Sequence, residues 1–97
     1  MNAATNERKQ MEGQILQLDN GNVAPFLAKR DFGLILFEGT GTLTLSYSLD
    51  GEHWDDDDKT FTIPQDGFIN IEVEFVNYVW YKVTTTGTLT QARIKYN

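Results

Sequence analysis

Six carboxylates lie between Asp50 and Asp58: Asp50, Glu52 and the run Asp55-Asp56-Asp57-Asp58, with no base among them and His53, the only histidine, in their midst. Oxygen donors at that density are what a calcium ion takes. The spacing is not that of an EF-hand loop, and four consecutive aspartates cannot all turn toward one ion. A solvated, self-repelling loop is therefore the better reading, with electrostatic docking onto a basic partner as its functional form. His53 has no nucleophile-elbow serine near it in sequence, and one histidine without cysteine is a poor start for a transition-metal site. Glu72 and Glu74 stand two apart, the arrangement of a carboxylate pair on one strand face, but that alternation puts them on the side that faces water. No catalytic residue and no cofactor is assigned.

The candidates left are contact residues. Tyr78 and Trp80 share a strand face opposite the expected core, with Lys82 beyond them. Exposed aromatics on a sheet stack on sugar rings or anchor a protein interface, and the interface is favoured because no amide or acid set accompanies them. Residues 1–13 are almost all polar, carry Arg8 and Lys9, and read as a flexible arm, either a frayed terminus or a segment that orders on a partner, rather than as a secretory leader.

What must position these residues is legible in the hydropathy pattern. Ninety-seven residues with 40% hydrophobic and 12% aromatic content suit one domain with a single core. No apolar run approaches a membrane span, and the absence of cysteine removes a disulfide scaffold. The net charge of −6 is local: outside residues 50–58 the eight remaining acids balance the eight bases. A neutral body with one acidic segment lacks the basic stripe that nucleic acid or an anionic membrane demands.

Gln14 to Leu18 reads as a first strand. It is followed by the turn Asp19-Asn20-Gly21-Asn22 and by Val23 to Leu27, which Pro25 confines to an edge or a bulge. Gly33 to Glu38 is apolar on both faces, as in a strand covered on both sides. Thr42 to Leu49 alternates, which places Leu43, Leu45, Tyr47 and Leu49 in the core and Ser46 and Ser48 outside. Lys59 to Ile63, Phe68 to Phe75 and Tyr78 to Thr84 alternate likewise. Leu89 to Tyr96 slips phase near Thr90, the mark of a bulge. Seven or eight short strands without a helical period predict one all-β antiparallel sandwich, jelly-roll or immunoglobulin-like, over residues 14–97.

Ser46-Tyr47-Ser48-Leu49-Asp50-Gly51-Glu52-His53-Trp54 resembles the "S-x-D-G-x-x-W" hairpin of small β-sandwich proteins in tailed-bacteriophage particles. In that hairpin Asp-Gly makes the turn and Trp54 would cap the end of the core. The order that follows is similar as well: a second Asp-Gly turn at Asp66-Gly67, then Tyr78-Val79-Trp80-Tyr81-Lys82-Val83 and a Thr-rich hairpin. The resemblance covers roughly residues 32–97. It implies a non-enzymatic virion structural protein such as a head decoration (cement) subunit, often a homotrimer, made in the host cytoplasm and bound to the major capsid protein or another virion protein. A carbohydrate- or receptor-binding module using Trp80, Tyr78 and Trp54 is the alternative.

Overall fold

The computed structural model describes residues 14–96, so the arm with Arg8 and Lys9 lies outside the described residues. Nine strands run in chain order: β1 Gln14–Ile15, β2 Leu18–Asp19, β3 Asn22–Leu27, β4 Phe32–Gly39, β5 Thr42–Ser48, β6 Asp55–Thr62, β7 Phe68–Glu74, β8 Trp80–Thr85 and β9 Leu89–Tyr96. They form two antiparallel sheets, ordered β1-β9-β4-β7 and β2-β3-β8-β5-β6. Only β2–β3 and β5–β6 are hairpins within one sheet; every other connection crosses the sandwich. Such repeated crossing distinguishes a jelly roll from an immunoglobulin-like sandwich.

Local chemistry explains most of the path. The expected first strand is divided: Gln14–Ile15 pairs with β9, Leu18–Asp19 pairs with β3, and Leu16 crosses between the sheets as a buried residue. Asn20 and Gly21 take φ of 52° and 79°, the left-handed pair that closes a two-residue hairpin. Pro25 sits where β3 gains one residue over β8, between Val23 and Phe26, as a residue without an N–H requires. The phase slip at Thr90 is the register shift of β9 against β4, and the Thr90 hydroxyl donates to the Glu38 carbonyl at 3.2 Å.

The core lies between the sheets, with Ile35 and Phe37 of β4, Leu43 of β5, Val83 of β8 and Ala92 and Ile94 of β9 all essentially inaccessible. Among the described residues, β4 is covered by a second layer on one side only. Gly33, Ile35 and Phe37 face the core, while Leu34 and Leu36 are half-buried on the outer face between Lys95 and Arg93 of β9 and Glu72 and Asn70 of β7. The long stems of Lys95 and Arg93 suit such apolar neighbours.

At one end of the sandwich two turns interlock. Thr85 donates its hydroxyl to the Thr40 carbonyl at 2.8 Å, and Thr88 N–H donates to the Thr40 hydroxyl at 3.1 Å. Gly41 has φ of 104°, and a Cβ there would run into the Gly87 backbone. Gly41→Ala therefore combines strain with a backbone clash and should cost more than about 1 kcal/mol. Phe37→Ala should cost roughly 3–5 kcal/mol through lost burial and the cavity left behind. Chemical denaturation of the two variants checks both, and a midpoint unchanged in either would contradict the packing described.

Candidate functional site

The acid run is not a loop. Asp55 to Asp58 open β6, an edge strand, with Asp55 opposite Tyr47 and Asp56 opposite Ser46 of β5. Strand alternation then separates them. Asp56 belongs to the outer face, where its carboxylate accepts from the Ser46 hydroxyl at 2.6 Å, whereas Asp55 and Asp57 line the inner side. Between Thr44–Thr60 and Ser46–Asp56 the register shifts, so Leu45 stands opposite three residues of β6. Asp57 stabilises this irregularity by accepting the Lys59 N–H at 3.0 Å.

Ser46 and Ser48, expected outside, are buried to 1% and 2% exposure. They do lie on the outer face, but the Asp50–Trp54 connection folds across them. The Ser48 hydroxyl donates to Asp50 at 2.9 Å and accepts from the Gly51 N–H at 2.9 Å, while Trp80 lies opposite Ser48 and beside Gly51. Trp54 does not cap the core end. It lies half-buried on this outer face with the Lys82 ammonium 4.5 Å from its ring centroid, a cation–π contact.

Asp50 organises the connection. One carboxylate oxygen accepts the N–H groups of Glu52 (2.8 Å) and His53 (2.9 Å), and the other contacts His53 Nδ1 at 2.7 Å. These bonds hold the Asp50 carboxyl well below the usual carboxylate range, the His53 N–H contributing most, then the His53 ring, the Glu52 N–H and the Ser48 hydroxyl. The hydrogen bond to Asp50, and then its charge, raise the His53 pKa above its ordinary 6.5. Ser48, Asp50 and His53 form no nucleophilic relay, because Asp50 stands between the serine and the histidine. Ligand-capable atoms of Asp50, Glu52 and His53 fall within 4.8 Å of one another, but all three side chains are exposed and Asp50 is already engaged in the turn.

The expected contact face is only partly assembled. Trp80 and Lys82 are neighbours on the outer face of β8, both half-buried. Tyr78 precedes the strand, in a turn where its φ is 65° and its N–H donates to the Ala28 carbonyl, and it is 80% exposed. Positive φ breaks the alternation that would have aligned it with Trp80.

A larger apolar surface lies on the open side of the sandwich, between edge strands β6 and β7. Leu45, Phe61, Ile71 and Val73 form the floor of a groove of about 360 Å³. Beyond Leu45, Asp57 and Glu74 it opens into a second section of about 410 Å³ bordered by Tyr47, Leu49, Val76 and Asp55. Tyr47 and Leu49, expected in the core, are 41% and 86% exposed here, because the inward positions of β5 run past the buried part of the sandwich. Val76, at 62% exposure, was not marked by any sequence pattern; the available signal was an apolar residue directly after the inward-facing Phe75.

The raised His53 pKa stabilises the fold below pH 6.5 and ceases to do so as pH rises through the raised value. The lowered Asp50 pKa stabilises above pH 3.8 and ceases as pH falls through the lowered value. Both operate together between 3.8 and 6.5. In an NMR titration, Asp50→Asn should bring the His53 midpoint down toward its ordinary value; a midpoint unmoved by that substitution would mean that the pair does not exist in solution.

No family model, curated protein or solved structure matches this chain.

Proposed function

We propose that this chain is a non-catalytic structural subunit of a virus particle, of the head decoration kind found in tailed bacteriophages, which docks onto the major capsid protein or another shell protein. The observation that carries this reading is the contiguous apolar surface of Tyr47, Leu49 and Val76 at the mouth of the β6–β7 groove. Large apolar side chains grouped on the surface of a small domain mark a contact site. Burial of that surface against a neighbour, surrounded by the carboxylates of Asp55, Asp57 and Glu74, has the form of an apolar centre with a polar rim. The jelly-roll order of strands supports the reading as an architecture used in capsid proteins, although the same fold serves other tasks. Assembly as a homotrimer belongs to the same proposal, as does a location in the virion after synthesis in the host cytoplasm.

A mass-spectrometric inventory of purified particles tests it: the chain should be present at a copy number comparable with the shell capsomers. Complete absence from particles would end the reading. The double variant Leu49→Asp/Val76→Asp should keep its melting temperature, since both side chains already face water. It should lose particle binding by about thirtyfold or more, the effect of removing an interface centre worth roughly 2 kcal/mol.

A further inference from the structure

The two strand edges flanking the groove differ in what they offer another polypeptide. β6 has the register shift opposite Leu45 and the charges of Asp55 to Asp58, devices that oppose pairing. β7 carries two exposed carboxylates, Glu72 and Glu74, but no register shift. It runs in unbroken register with β4 from Phe32–Glu74 to Glu38–Phe68.

Its hydrogen-bonding direction follows from the bonds at its two ends. Phe75 N–H donates to the Asp31 carbonyl, and Gly39 N–H donates to the Gly67 carbonyl. Odd-numbered residues of β7 therefore bond to β4, and Asn70, Glu72 and Glu74 direct their backbone N–H and C=O groups to an edge that is free among the described residues. Beside that edge lies the apolar floor of Leu45, Phe61, Ile71 and Val73, and the surrounding side chains are Asp57, Glu72 and Glu74 against the single Lys59.

We propose that the free edge of β7 takes an extended segment of a partner protein, with apolar residues alternating with lysine or arginine, as an added strand of the four-stranded sheet. The proposal rests on the docking function above and names the chemistry of the partner. Alternation is required because an added strand turns every second side chain toward the groove floor and the others toward the face carrying Glu72 and Glu74. Basic residues on that face meet those carboxylates across the strand pair. A second copy of this chain pairing β7 to β7 would instead bring like charges together, which disfavours it as the occupant.

The test uses the full chain and a fluorescein-labelled synthetic peptide of alternating lysine and valine, about as long as β7, read by anisotropy. A control peptide carries the same residues in two separate blocks. The alternating peptide should bind more tightly than the control. Asn70→Pro removes an edge N–H that β4 does not use and should weaken binding by about tenfold or more. Should that variant fail to fold, the exposed pair Glu72→Gln/Glu74→Gln decides, with weaker binding and a shallower salt dependence expected. Equal binding of both peptides, no binding of either, or full affinity in a folded Asn70→Pro variant would overturn the proposal. Particle binding separates this from the broader reading. If Asn70→Pro joins particles normally while Leu49→Asp/Val76→Asp does not, the added strand is wrong and docking stands. If wild-type chain is absent from particles yet binds the alternating peptide, the reverse holds.

Discussion

The contact between Phe75 and Tyr81 decides how this sandwich closes. Their rings meet edge to face at 4.9 Å between centroids, joining the end of β7 in one sheet to β8 in the other. Phe26 and Tyr96 extend the cluster on either side. Space for the Phe75 ring comes from Gly33, where a Cβ would stand 2.7 Å from it. The Tyr81 hydroxyl then accepts the Val76 N–H at 2.7 Å, so one aromatic pair fixes both the sheet spacing and the path of the crossing connection. Once Val76 is held by its backbone, its side chain faces out and Tyr78 is forced through the left-handed turn. The exposure of Val76 is thus tied to how the core is shut.

Fold class was legible because it depends on alternation, which each strand carries in its own residues. Val79, Tyr81 and Val83, like Ala92 and Ile94, are buried as their period-two pattern demands, and the irregularities at Pro25 and Thr90 announced themselves as breaks in that pattern. The candidate site was less legible. Pattern identifies which face of β5 points inward but not how far the opposite sheet extends, so Tyr47 has the inward phase of Leu43 without its burial. Ser46 and Ser48 have the outward phase their pattern demands yet are buried, for the complementary reason: a connecting segment covers an outer face, and no local pattern reports such a lid. Four aspartates in a row have poor strand propensity, yet pairing with β5 and the Ser46–Asp56 bond draw them into a strand.

That last conflict also changes what the charge means. A linear cluster suggests one dense anionic spot, but a strand distributes consecutive residues to opposite faces. Asp56 is tied to a serine on the outer surface, and Asp55 and Asp57 border the groove. Part of the molecule's surplus negative charge is therefore placed beside the exposed apolar side chains of Tyr47, Leu49 and Val76, where carboxylates keep water and discourage indiscriminate association.

The irregular pairing of β6 with Leu45 has one more consequence, which concerns valence. A sandwich with two regular free edges on the same side can act as a link, accepting a neighbour at each and extending into a fibre. Here one edge is regular and the other is bent and charged, and on the far side the sheets end in β1 and β2, each two residues long. Among the described residues, β7 is the one full-length strand edge in unbroken register. Growth through both groove edges at once is thereby disfavoured, because only one of them is a regular template for another strand.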